Sequence, residues 1–158
     1  MKRSMRSLGS MAIVFALMFS LCAGCITAGA ASNVITEAPD VRVIIAGEEK
    51  TYPQVPVIIN GSTFLPLRAL AASLGIPNDD QHIIWNQQDK SVTLKSADDA
   101  RTVFLSIGSL KGRVNDAEKT LNAAPVLYKN STYIPLRFVA DAMDMTVLWD
   151  APTRTVYI

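Results

Sequence analysis

One histidine, two adjacent carboxylates and a matched pair of arginines carry most of the chemistry this sequence offers. Asp79-Asp80-Gln81-His82 places two carboxylates and an imidazole within four residues. Hard oxygen ligands with one nitrogen could hold a divalent cation weakly, and the same stretch also reads as a solvated surface loop. His82 is the sole histidine of the chain, so any hydrolytic triad would have to use it as the base. Ser62, Ser73 and Ser131 are candidate nucleophiles, but none stands in a strained-elbow context. No pair of carboxylates is singled out for glycoside hydrolysis, which depends on a separation in space rather than in sequence. The sequence singles out no catalytic, cofactor-binding or metal residue.

Arg68 and Arg137 each follow Pro-Leu at the start of an expected helix, where the helix dipole disfavours a positive charge. A cation at both places implies a fixed acceptor. The expected acceptor for Arg137 is Asp150 or a turn carbonyl, clamping helix to hairpin, whereas Arg68 faces the neutral Asn86 and should be held less tightly. Trp85 and Trp149, with Tyr52, Tyr128, Tyr133 and Tyr157, could stack on sugar rings. Aromatic residues in hairpins also serve as cross-strand packing.

These residues sit in a stretch that occurs twice. PVIINGSTFLPLRALAASLGI (56–76) and PVLYKNSTYIPLRFVADAMDM (125–145) match at an offset of 69, which aligns Pro66 with Pro135 and Arg68 with Arg137. Downstream the offset becomes 64, aligning Trp85 with Trp149 and Val92 with Val156, so the first copy carries five extra residues near Pro77–Gln81. The expected repeats run over about 41–94 and 110–158.

In each copy the patterns specify the same elements. Asn60-Gly61 between apolar runs is a type I′ hairpin signal, since both residues tolerate positive φ; Lys129-Asn130 stands at the matching turn without the glycine. Pro66 and Pro135 suit helix starts. Leu67, Leu70, Ala71 and Leu74 form one apolar stripe, as do Leu136, Val139, Ala140 and Met143. Gly75 is a helix stop, and Asp144 replaces it in the second copy, predicting a strained or longer helix end. Ile83–Trp85 with Ser91–Leu94, and Thr146–Trp149 with Thr155–Ile158, read as hairpins whose turns Asn86 and Asp150 cap. Val41–Ile45 is the expected first strand, and Val103, Leu105 and Ile107 mark another with one buried face. The predicted class is α+β: a duplicated unit of antiparallel hairpins, each with one short helix packed on the sheet.

At the N-terminus, Lys2, Arg3 and Arg6 precede an apolar run from Met11 to Leu21, the pattern of a secretory signal over residues 1–30. Two exits fit: Ala28-Gly29-Ala30 as a signal-peptidase site, or a lipoprotein signal ending at residue 24 with Cys25 as the lipidation candidate. Both cysteines, Cys22 and Cys25, lie in this leader, so the chain after Ala30 has no thiol for disulfides or metal. Its loss takes away three basic residues of the chain's 15 and none of its 14 acidic ones, leaving a balance of −2. That argues against nucleic acid as a partner. Residues 31–40 are polar and unpatterned and read as a tether.

The signature Pro-Val, hydrophobic pair, Asn-Gly, Ser-Thr, hydrophobic pair, Pro-Leu-Arg, short helix and Trp-Asn or Trp-Asp resembles the copper amine oxidase N-terminal domain, or stalk domain, of many exported Gram-positive bacterial proteins. The resemblance covers residues 41–158 and is closest at 135–142 and 149–158. Asn60, Gly61, Pro66, Arg68, Trp85, Pro135, Arg137, Trp149 and Asp150 form the repeat signature. The chain departs from the family pattern at Asn86, Asn130, Asp144 and the insert, which affects local geometry. The resemblance implies a non-catalytic appendage without a cofactor, because the oxidase chemistry and its copper ligands belong to a separate domain. It also implies a secreted or cell-surface module that binds cell-wall polymer or an envelope protein. A homodimer through a sheet edge is a further expectation, with membrane contact only through a lipid anchor. The alternative is an exported small-molecule or metal binder using the loop at 77–82.

Overall fold

In the computed structural model, which describes residues 34–158, short strands dominate and two seven-residue helices interrupt them. The signal-peptide and Cys25 readings lie outside the described residues. In chain order the elements are β1 (Ile35–Glu37), β2 (Arg42–Ile45), β3 (Glu48–Lys50), β4 (Val57–Ile59), β5 (Ser62–Pro66), α1 (Leu67–Ser73), β6 (Ile83–Asn86), β7 (Ser91–Lys95), β8 (Thr102–Ser106), β9 (Lys111–Val114), β10 (Ala117–Thr120), β11 (Val126–Tyr128), β12 (Ser131–Pro135), α2 (Leu136–Ala142), β13 (Leu148–Asp150) and β14 (Thr155–Tyr157). They form three sheets, ordered β1-β4-β5-β12-β11, β10-β9-β8-β7-β6 and β13-β14-β2-β3. The α+β class expected from the sequence fits this arrangement.

Two features depart from the expected run of local hairpins. The stretch read as a tether contains β1, which pairs antiparallel with β4 (Ile35↔Ile59), and Ala38 behind it is only 1% exposed. A polar segment without its own pattern still gains ladder hydrogen bonds at an open sheet edge. The last strand, β14, pairs in parallel with β2 (Val156↔Val43), whereas β6 to β10 do follow one another as consecutive antiparallel hairpins. Between β3 and β4 the chain leaves the sheet, because Pro53 and Pro56 have no N–H to give to a ladder.

Alternation along β4, β5 and β12 sends side chains to two separate cores. Val57, Ile59, Phe64 and Tyr133 meet Ala123 on one face, joined by Ile35, Val126 and Tyr128. Leu65 and Ile134 face the other way, into the larger core under the helices, where Leu67, Leu70, Ala71, Leu136, Val139 and Ala140 are buried. The first sheet curls around the smaller core. Although β1 and β11 stand at opposite ends of its strand order, the Glu37 carboxylate accepts hydrogen bonds from the Tyr128 hydroxyl (3.1 Å) and the Lys129 ammonium.

Helices this short do not persist in water unaided, and each is held by its apolar stripe. Pro66 and Pro135 are the last residues of β5 and β12 and also stand at the N-caps, so strand passes directly into helix. Both helices close alike: Gly75 (φ 75°) and Asp144 (φ 66°) are left-handed, and the N–H groups of Ile76 and Met145 return to Ala71 and Ala140. Asp144 makes this stop without glycine, which costs strain rather than extra helix length. The hairpin turns repeat the pattern, with Asn60 and Gly61 at φ 48° and 73°, and Lys129 and Asn130 at φ 46° and 61°.

Candidate functional site

The loop at 77–82 is organised around one carboxylate. Asp79 Oδ1 accepts the N–H groups of Gln81 (3.0 Å) and His82 (2.9 Å), and His82 Nδ1 lies 2.7 Å from it. The side-chain bond to His82, reinforced by those backbone bonds, lowers the Asp79 pKa below the ordinary carboxylate value. Asp79 and His82 therefore serve the turn, and Asp80 is exposed. Among the described residues no group of three or more His, Cys, Asp or Glu side chains is placed to hold a metal ion. The serines weighed as nucleophiles have other roles where the structure shows them bonded: Ser73 donates to the Ala69 carbonyl, and Ser131 accepts from Gln54.

The two signature arginines behave differently from each other and from expectation. Arg68 Nη1 donates to Asn78 Oδ1 at 2.7 Å, tying the start of α1 to the inserted loop. Arg137 makes no hydrogen bond or ion pair among the described residues. The expected clamp from Arg137 to Asp150 is thus corrected: Asp150 Oδ2 accepts from the Thr153 hydroxyl instead, and Arg68 is the arginine that is held. The physical reason is proximity along the chain. A carboxylate three residues from a hydroxyl bonds it with little loss of freedom, whereas a bridge to Arg137 would have to order a long side chain. Asn86 does cap its turn as expected, accepting from the N–H groups of Gln88 (2.9 Å) and Asp89 (3.3 Å).

The remaining arginines emphasise how unusual Arg137 is. Arg42 pairs with Glu49, Arg101 with Asp144 and Arg154 with Asp40, while Arg113 lies 4.5 Å over the Phe104 ring. Arg137 is exposed and borders a groove of about 530 Å³. Phe138 and Asp141 of α2, Thr63 of β5, Asn122 and Trp149 of β13 also line it. A smaller hollow of about 320 Å³ is also bordered by Arg137, with Asp141, Asp144 and Met145.

Aromatic residues divide between packing and exposure. Tyr133 is 1% exposed; its hydroxyl donates to the Val55 carbonyl at 3.0 Å, and its ring meets Tyr128 edge-on at 5.8 Å. Trp85 is half-buried against the main core, and its Nε1 donates to Gln87 at 2.8 Å. Trp149, its sequence counterpart, is 42% exposed at the groove. The sequence singled out Arg137 and Trp149 but not Thr63, Asn122 and Phe138. These come from separate stretches that only the folded chain brings together, and no local pattern marks them.

A family model described as the copper amine oxidase N-terminal domain matches residues 44–158. No curated protein matches the chain.

Proposed function

The chain belongs to the copper amine oxidase N-terminal domain family, and from that membership we propose that it is a non-catalytic, exported cell-envelope module that binds cell-wall polymer or an envelope protein. The match is to the N-terminal domain and not to a catalytic one. We read the chain as two repeats of one unit, built on the matched turns, Pro-Leu-Arg helices and Trp hairpins of the two halves. In that reading the halves have diverged. The first has its arginine tied to the inserted loop, and the second leaves Arg137 facing a groove beside an exposed Trp149.

That groove is the observation that carries the binding role. An exposed indole and a guanidinium without a protein partner among the described residues line the same groove, so both are available to a ligand that stacks on a ring and carries an anionic group. The expected leader fits the same role with either exit, because a secreted or a lipid-anchored protein meets wall polymer and envelope proteins directly. Pairing with a second copy would use a sheet edge.

The test is co-sedimentation of the protein with isolated cell-wall sacculi across a salt series. Saturable binding that survives moderate salt supports the wall as ligand. Absence of binding removes the wall, and crosslinking in intact cells then identifies the protein partner.

A further inference from the structure

We propose that the groove between α2 and β13 is a saccharide subsite for an acidic sugar, with one ring stacked on Trp149 and its anionic group on Arg137. This rests on the envelope-binding reading and adds the class of ligand. Three observations point to it.

The first is charge. Among the described arginines, Arg137 alone lacks an anionic, amide or aromatic partner, and it is exposed at the groove. A guanidinium presents a planar fork that a carboxylate or a phosphate can engage through two parallel hydrogen bonds.

The second is the aromatic surface. Trp149 is 42% exposed at the groove, while Trp85 at the matching position is half-buried and bonded to Gln87. The C–H face of a pyranose is weakly positive and apolar, so it sits well on the electron-rich face of an indole.

The third is the polar lining. Asp141 stands four residues after Arg137 with no ion pair between them among the described residues, and Thr63 and Asn122 line the same groove. A carboxylate accepts from sugar hydroxyls, and an amide both donates and accepts. In the proposed arrangement the acidic group of the sugar lies on Arg137 and its hydroxyls turn toward Asp141. At about 530 Å³ the groove falls within the usual range of small-ligand sites, roughly 300–1,000 Å³.

Among the described residues, the matching positions of the first copy form no equivalent subsite. There Asn78 of the inserted loop occupies the arginine, and Gln87 occupies the indole N–H. The two copies therefore offer one such subsite among the described residues rather than two.

Calorimetric titration of the full chain tests this with three probes. One is the disaccharide of N-acetylglucosamine and N-acetylmuramic acid, which carries a carboxylate. The second is diacetylchitobiose, a neutral disaccharide, and the third is poly(glycerol phosphate), an anion without a sugar ring. The acidic disaccharide should bind about tenfold or more tighter than the neutral one. Arg137→Gln should erase that advantage, bringing the acidic disaccharide to the affinity of the neutral one. Arg137 is exposed, so this variant folds. Trp149→Ala should abolish binding of both disaccharides, with Trp149→Phe as a milder variant should the alanine protein lose stability.

Equal affinity for the acidic and neutral disaccharides overturns the role of Arg137. Binding of poly(glycerol phosphate) that is indifferent to Trp149→Ala, with no response to either disaccharide, overturns the sugar subsite and makes phosphate the ligand. Silence from all three probes while sacculi still sediment the protein refutes the subsite and leaves the envelope reading standing. Loss of both signals refutes both.

Discussion

Replacing Tyr133 by Phe removes one hydroxyl from the smaller core and tests how the segment between β3 and β4 is held. Tyr133 is buried, and its O–H donates to the Val55 carbonyl at 3.0 Å. Val55 precedes Pro56, which confines it to an extended conformation, so its carbonyl is fixed in place for the bond. A hydrogen bond of this kind contributes about 1 kcal/mol net, and more when its loss strands a buried acceptor. The expected cost of losing it is about 1 kcal/mol. In thermal terms that is a fall in Tm of about 4 °C for a domain of this size.

Phe64 at the matching position is also buried in this core and has no hydroxyl, so the substituted ring has a tolerated precedent a strand away. Tyr133→Ala, by contrast, empties the centre of the cluster and should cost about 3–5 kcal/mol. Urea denaturation with tryptophan fluorescence measures both. The Phe variant should shift the midpoint slightly with an unchanged slope. Gln54 ties the same segment to Ser131 at 2.6 Å, so Gln54→Ala combined with Tyr133→Phe should lose more than either alone. A Tyr133→Phe protein as stable as the parent, or as unstable as the alanine variant, refutes the assignment of the hydroxyl.

Gly112→Ala should destabilise by about 1–3 kcal/mol in the same assay, because a Cβ there would lie 3.0 Å from the Phe104 carbonyl oxygen and 3.1 Å from Leu121 Cδ1. A neutral result would mean that β8 and β9 shift apart freely. Tyr52→Phe should leave stability unchanged or raise it by up to about 1 kcal/mol. The Tyr52 hydroxyl is buried without a geometrically sound hydrogen bond, and the neighbouring Ser73 hydroxyl already donates to Ala69. Burial raises the Tyr52 pKa above 10.0, so its contribution is present below the unfolded value and is lost as pH rises through the folded one; the variant should flatten the alkaline loss of Tm. Glu37 behaves oppositely. Hydrogen bonds from Lys129, then Tyr128, lower its pKa below 4.5, so its contribution is present above that value and is lost as pH falls through the folded one. Melting curves in acid should therefore be steeper in pH for the parent than for Glu37→Gln, and parallel curves would show that the contact between β1 and β11 is immaterial.

Much of the local structure was legible before any coordinates. The stripe at Leu67, Leu70, Ala71 and Leu74 is a helix face because the period of 3.6 brings those positions together. Asn60 and Gly61 turn the chain because both tolerate positive φ. The left-handed stop at Asp144 was legible as a place where glycine had been replaced, and it is strained as that replacement requires. The family followed from the same short signatures.

Pairings between distant strands were not legible. The ladder of β14 on β2 joins residues more than a hundred positions apart, and an edge strand carries no mark of its partner. Nor was it legible that β1 would cover β4, or that Glu37 would reach Tyr128 and Lys129 across the curled sheet. The two arginines make the same point at the candidate site. Their sequence settings match, yet Arg68 is fastened to Asn78 and Arg137 is left facing a groove.

By itself the sequence determined the elements and their turns, because backbone preference and hydrophobic period act over a few residues. Only the tertiary structure decided which edges close, which core each strand face enters and which guanidinium stays available, because those outcomes depend on side chains that meet only after the chain has folded.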